Sequence, residues 1–355
     1  MASDVGVTLV KPRKLRPGSR VAATTLSWGG PGAFPLRYEV GKKQFEDEFQ
    51  VKVVETTTAL KDPEWLSRHP EARAGDLMSA FSDPSIDGII STIGGDDSIR
   101  ILPYLDLEVI RQNPKVLMGY SDTTISLLAC FRAGLVSFYG PEFMSQFAEN
   151  GGMFPYMVES VRKNLFSSDP IGNIIPNAAG WTVEELDWSN PENQSRHRYL
   201  NPSSGWNFLQ GKGVVEGRLI GGCIEVLDWL RGTEFWPGLP EWENAIFFLE
   251  TSEEGPPAAY VGRFLRSLAA MGVLSRLSAI LFGRPGGQIP PETFAEYDAV
   301  LTDAVSQESS LTDLPIVTGM DFGHTDPMMV LPLGLNARID CDSREFTILE
   351  NAVVD

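Results

Sequence analysis

The sequence predicts an α/β fold with a mostly parallel sheet in its first half and a β-rich second half. Three observations carry that expectation. Short apolar runs alternate with amphipathic stretches up to about residue 150, Gly-bearing loops follow three of those runs at Gly29, Gly94 and Gly119, and strand-like runs resume after a polar interruption. Strands that alternate with helices form parallel sheets, whose ligands collect beyond the carboxyl ends of the strands.

The elements follow in order. Arg20 to Thr25 (RVAATT) reads as a strand that runs into Ser27-Trp28-Gly29-Gly30-Pro31-Gly32, too rich in Gly and Pro to continue it. The segment FQVKVVET is a second candidate strand, and Glu71 to Phe81 spaces its apolar residues as a helix does. Asp87 to Ile93 is a third strand, ending at Gly94-Gly95-Asp96-Asp97, where the two acids read as caps for a helix starting near Ser98. Lys115 to Met118 is a fourth. Asn173 to Gly213 is polar and weakly periodic, the texture of a linker with a long binding loop. Strand-like Gly213 to Leu219, Ala245 to Leu249 and Ser278 to Phe282 follow, with helix-like Ala259 to Ala270 among them and β-rich Met328 to Leu349 at the end. The expected division is a nucleophile-bearing domain over 1–170, a linker and substrate loop over 171–212, and a C-terminal domain over 213–355.

Composition excludes several function classes. Acids outnumber bases 47 to 29, for a net charge of −18, which opposes binding to nucleic acid or to anionic membranes. Cys130, Cys223 and Cys341 are far apart and form no C-x-x-C pair, so neither a disulfide framework nor a zinc cluster is expected. The acidic Met1 to Val5 stretch precedes the basic Lys11-Pro12-Arg13-Lys14, the reverse of a secretory signal, and a cytoplasmic setting is expected.

Chemistry points first to Gly119-Tyr120-Ser121-Asp122-Thr123, which stands between a strand and the helical run Ile125 to Arg132. A serine on such a turn projects its hydroxyl above the sheet, beside free amide hydrogens that can hold an oxyanion. Position 123 is Thr where the lipase-type G-x-S-x-G elbow has Gly, and helix capping by Ser121 or Asp122 is the rival reading. Of three histidines, His69 and His197 sit in polar loop sequence, whereas His324 follows a strand in the turn Asp321 to Pro327. Glu250 ends the apolar run Ala245 to Leu249, a rigid place from which to orient an imidazole, while Glu253 and Glu254 read as loop acids. An imidazole near its ordinary pKa of about 6.5 would lose activity as the medium turned acidic.

Taken together, Gly94-Gly95, Gly119-Tyr120-Ser121-Asp122, Gly217 to Gly222, Phe248-Leu249-Glu250 and Gly323 to Pro327 resemble the LD-carboxypeptidase family of serine peptidases, in the same order over most of the chain. The resemblance implies an N-terminal parallel-sheet, Rossmann-like domain and a C-terminal β-rich, barrel-like α/β domain, commonly in homodimers. It implies a triad of Ser121, Glu250 and His324, backbone oxyanion donors at Gly95 and Asp122, and neither metal nor organic cofactor. Two branches matter: murein tetrapeptide LD-carboxypeptidases, and microcin C self-immunity proteins that cleave a peptidyl or aminoacyl nucleotide. The long excursion resembles the second, whose extra loop supplies a Trp that stacks on the base, here matched to Trp206, a residue that by itself reads more readily as an aromatic anchoring the loop to the core. Cys223 and Thr251 depart from the family pattern beside the site. The murein branch must bind a free carboxylate, for which Arg100, Arg263 and Arg284 are candidates, and a non-catalytic ligand-binding α/β module is the reading outside enzymology.

Overall fold

The computed structural model describes residues 9–355, so the acidic Met1 to Val5 stretch lies outside the described residues. Among the described residues fourteen strands form two sheets: β1 (Arg20–Thr24), β2 (Lys52–Glu55), β3 (Gly88–Ser91), β4 (Val116–Gly119), β5 (Ser137–Tyr139), β6 (Gly172–Ile174), β7 (Asn207–Gln210), β8 (Val214–Cys223), β9 (Ala245–Glu250), β10 (Ala279–Gly283), β11 (Ile316–Met320), β12 (Leu331–Leu333), β13 (Asn336–Asp340) and β14 (Glu345–Ile348).

The first sheet runs β12-β5-β4-β3-β1-β2, with β1 to β5 mutually parallel. Every residue of β3 and β4 is buried, as expected of strands covered by helices on both faces. Read from β2, the order is 2-1-3-4-5, a doubly wound arrangement whose strand order reverses between β1 and β3. The loops after β1, β3 and β4 therefore meet at one edge. One expected boundary shifts: Phe49 closes the helix Pro35–Phe49 rather than opening a strand. Phe45 and Phe49, four residues apart on that helix, both pack against Phe147.

The second sheet runs β6-β14-β13-β8-β9-β10-β11-β7, parallel from β8 to β11 and antiparallel toward both ends. Its hydrogen bonding does not close, yet Trp206, next to the edge strand β7, lies 6.2 Å from Phe346 near the other edge. The sheet thus curls toward a barrel. Both β6 and β7 come from the 171–212 stretch, so part of that linker is built into the sheet.

The two sheets are interlocked. β12, from the C-terminal part of the chain, pairs antiparallel with β5 and completes the first sheet. At the end of β8, Gly222 packs against Thr124 behind the Ser121 turn, where an added Cβ would lie 2.4 Å from Thr124 Cγ2. Among the described residues, no helix is long and apolar enough to cross a membrane.

Candidate active site

The turn after β4 holds Ser121 at φ +54°, a left-handed conformation that costs a side-chain-bearing residue on the order of 1–3 kcal/mol. Surrounding bonds over-determine it. Tyr120 N (3.2 Å) and Thr123 Oγ1 (2.7 Å) donate to Glu142 Oε1, Ser121 N donates to Tyr139 Oη (3.3 Å), and Thr124 Oγ1 donates to Ser121 O (2.6 Å). Glu142 is fully buried, and that burial lifts its pKa to about 7 despite the bonds it accepts. Among the described residues, nothing hydrogen-bonds the Ser121 hydroxyl, so its capping alternative is not realised.

Asp122 does cap a helix, though not the one that follows it. Its carboxylate accepts Ser98 N at 2.8 Å and its carbonyl accepts Ser98 Oγ at 2.8 Å, clamping the Gly94-Gly95 loop to the serine turn. Asp97, expected as a cap, instead pairs with Arg73 and Arg100. Arg73 also donates to the carbonyls of Leu26 (3.0 Å) and Ser27 (3.2 Å), which ties the loops after β1 and β3 together.

The approach at Gly94 is tight. A Cβ there would lie 2.8 Å from Ser121 Cβ and 3.0 Å from its Oγ, and 3.4 Å from the Asp122 amide nitrogen. Gly94→Ala is expected to lower kcat/KM at least a hundredfold, the scale of losing one oxyanion donor, while circular dichroism stays native. Near-normal turnover by that variant would show that the space in front of Ser121 is not used.

Glu250, fully buried at the end of β9, accepts His324 Nδ1 at 2.7 Å and the His324 backbone N–H at 3.2 Å on Oε2, and the Tyr139 hydroxyl on Oε1. Gly323 permits this approach: its φ is +91°, and a Cβ there would lie 2.5 Å from Glu250 Oε2. The other imidazole nitrogen, Nε2, lies 3.0 Å from Glu253 Oε2. Glu253, expected as an ordinary loop acid, is thus a site residue that its sequence context did not distinguish from Glu254. Burial opposes a charge on His324, but the two carboxylates outweigh it and hold the imidazole pKa well above its ordinary value. The hydrogen bond from His324, together with its charge, outweighs partial burial and draws Glu253 down to about 2.

Cys223, Glu250 and His324 bring ligand-type atoms within 4.8 Å of one another. Both Glu250 oxygens are taken by Tyr139 and His324, and the Cys223 thiol donates to Glu225 Oε2 at 3.3 Å. The group reads as a hydrogen-bonded cluster rather than a metal centre.

Ser121, Gly95 and His324 face one cavity of about 630 Å³, with Asp122 and Glu250 behind its wall. Trp28, Phe34 and Trp188 line an aromatic side of it, with the Trp188 ring edge-on to Phe34 and beneath the Arg37 guanidinium. The excursion reaches the cavity because Thr182 pairs with Asp326, carrying residues 183–188 across the opening.

Trp206, expected to meet a ligand, does not line the cavity. Its indole N–H donates to Asp321 Oδ2 at 2.7 Å and its ring is buried against Phe346, so it anchors the excursion to the start of the His324 turn and to β14. A buried indole N–H needs an acceptor, and the nearest one lies away from the opening. The same carboxylate takes Arg284, while Arg100 bonds Asp97 and the Ser67 carbonyl and Arg263 lies over Tyr260; none of the three faces the cavity.

A doubly wound sheet ending in a strained serine, to which a second sheet delivers a carboxylate-held imidazole, has the architecture of a serine peptidase. Models of the LD-carboxypeptidase N-terminal domain and C-terminal domain match residues 21–140 and 216–339. The microcin C7 self-immunity protein MccF of Escherichia coli is 32% identical over 78% of this chain and 78% of its own. The murein tetrapeptide carboxypeptidase of Pseudomonas aeruginosa is 26% identical over 78% of this chain and 80% of its own. The structure superposes on MccF in complex with aspartyl sulfamoyl adenosine with a TM-score of 0.83, at 29% identity over 97% and 100% of the two chains. An MccF-like protein from Streptococcus pneumoniae in complex with AMP gives 0.84, at 28% identity over 93% and 98%. The chain belongs to the LD-carboxypeptidase family.

Proposed function

We propose that this protein is a serine amidohydrolase that cleaves the amide of an aminoacyl or peptidyl nucleotide. Ser121 attacks the carbonyl carbon as His324 Nε2 takes its proton, and Glu250 holds Nδ1–H and stabilises the imidazolium. The N–H groups of Asp122 and Gly95 hold the oxyanion, the leaving amine takes the proton back from His324, and water resolves the acyl-enzyme. The carrying observation is one cavity that joins Ser121 and His324 to a wall of Trp28, Phe34 and Trp188. Its volume, about 630 Å³, lies within the range of small-ligand sites. The nucleotide complexes of the related proteins support the same reading.

Murein tetrapeptide cleavage is the second reading, favoured by the Pseudomonas relative. It requires a cation for the terminal carboxylate. Among the described residues, the cavity-lining cations are Arg37 and Arg198: Arg198 is paired with Glu149 and Asp326, and Arg37 is held by Asn150 and Gln194. Five further acids, Asp96, Glu184, Glu185, Glu253 and Glu254, line the same space.

Hydrolysis of alanyl sulfamoyl adenosine and of murein tetrapeptide, followed by mass spectrometry, separates the two. The nucleoside is expected to be preferred at least a hundredfold in kcat/KM, and the opposite preference would overturn the substrate while leaving the hydrolase. Trp188→Ala is expected to raise KM for the nucleoside about tenfold, the scale of an aromatic–base stack of about 1–3 kcal/mol. Trp206→Ala is expected to lower Tm and leave KM near its original value. The reverse pattern would return base stacking to Trp206.

A further inference from the structure

The imidazole that the mechanism needs as a base is engaged at both nitrogens. Nδ1 meets Glu250, and Nε2, the nitrogen that has to take the Ser121 proton, meets Glu253 at 3.0 Å. Bound between two carboxylates in this way, the ring is held as an imidazolium, which cannot accept a proton. The two acids differ in freedom: the Glu250 side chain is fully buried, whereas that of Glu253 is 60% exposed at the cavity mouth. Its backbone is nonetheless held in place. Glu225 accepts Ser252 N (3.1 Å) and Ser252 Oγ (2.5 Å), Gly286 N donates to Thr251 Oγ1 (3.0 Å), and a Cβ on Gly287 would lie 2.6 Å from Glu253 O. The exposed part of Glu253 is its side chain.

What would draw it off Nε2 is a cation, and of the two that line the cavity among the described residues, Arg198 is paired with Glu149 and Asp326 and Arg37 is tied to the amides of Asn150 and Gln194, neither of them to Glu253. An aminoacyl amide brings one of its own, because its α-ammonium is bonded to the carbon next to the carbonyl that Ser121 attacks. We propose that Glu253 is a specificity-determining and positioning residue that narrows the proposed substrates to the aminoacyl ones: it selects those with a free ammonium beside the scissile carbonyl over peptidyl ones, whose amine is acylated, and frees His324 Nε2 when that ammonium takes its carboxylate. As Glu253 leaves, the Nε2 proton passes to solvent, and the neutral ring then accepts the proton of Ser121. The inference rests on the hydrolase reading and deepens it by assigning the chemistry of the acyl side.

The charged and titratable groups around His324 are Glu250 from β9, with Tyr139 behind it, Glu253 from the following loop, Cys223 from β8, Tyr120 and Glu142 at the serine turn, and Asp326 on its own turn. Glu253 is the one of these carboxylates that is both on Nε2 and largely exposed, so its removal tests the gate. The raised imidazole pKa places the acid limb of kcat/KM above pH 6.5, since activity needs the neutral ring and grows as pH rises through that pKa. Glu253→Gln is expected to move the limb to lower pH.

The experiment uses alanyl sulfamoyl adenosine and its N-acetyl derivative. With Ser121→Ala protein, which cannot turn either over, titration calorimetry is expected to show the free amine bound at least tenfold tighter, and Glu253→Gln added to it is expected to bring the two within about threefold. With Ser121 intact, Glu253→Gln is expected to raise KM for the free amine and to speed cleavage of the N-acetyl compound. An unchanged amine preference, or an unmoved acid limb, overturns the proposal. If the unmodified enzyme cleaves neither compound, the hydrolase reading fails on its own, and the calorimetric preference still decides whether Glu253 recognises an ammonium.

Discussion

Ser121→Ala is expected to lower kcat by about a millionfold, the scale seen when a triad serine is removed, leaving only what the oxyanion site and binding supply. The substitution is structurally mild. Among the described residues no group hydrogen-bonds the Ser121 hydroxyl, and alanine tolerates φ +54° no worse than serine does. Thermal unfolding should therefore stay close to that of the parent, and binding of a nucleoside probe should survive. Labelling by a serine-directed fluorophosphonate is expected to vanish with the hydroxyl. Turnover within tenfold of the parent would remove Ser121 from the mechanism, and the serine-peptidase chemistry with it.

Glu250→Gln is expected to lower kcat about ten-thousandfold at neutral pH, as losing the triad carboxylate does elsewhere. The reason lies in what surrounds it. Glu250 receives hydrogen bonds from His324 Nδ1, from His324 N and from the Tyr139 hydroxyl, all of them in a fully buried position. A glutamine can turn its carbonyl toward His324, but its amide then faces the Tyr139 oxygen and leaves that hydroxyl proton without its acceptor. Turned the other way, its amide opposes two N–H donors. Either orientation orphans a buried donor, so stability should fall by about 1–3 kcal/mol as well. Neither orientation supplies the charge that stabilises an imidazolium. Stopped-flow kinetics and thermal unfolding check the two effects together, and a kcat within tenfold of the parent would dismiss Glu250 as the orienting group.

Much of this arrangement is legible in the sequence. The runs that end at Gly94 and Gly119 are legible as strands because Ile89-Ile90 and Val116-Leu117-Met118 are short apolar stretches beside turn residues in an alternating α/β pattern, and both prove buried. His324 and Glu250 stood out through scarcity and placement, one histidine behind a strand and one acid at the mouth of another. Other features were not legible. Trp188 and Trp206 lie in the same polar excursion, and which indole faces the opening depends on Asp321, a carboxylate 115 residues beyond Trp206. Glu253 and Glu254 are adjacent loop acids, and only the position of the His324 ring separates them. The return of β12 to the first sheet has no local signal, because strand pairing across a large sequence separation is decided by packing.

What the sequence determined by itself is the edge of the sheet at which the candidate site lies and the residue types that reach it: strand and turn propensities are local, and the loops after β1, β3 and β4 converge in any doubly wound sheet. What the tertiary structure decided is the partner of each group. Hydrogen bonds and ion pairs depend on distances of about 3 Å between segments far apart in the chain, which no local pattern encodes. For this protein that decision set Trp206 against Asp321, left Trp188 at the cavity, and put a second carboxylate on the free nitrogen of the His324 ring.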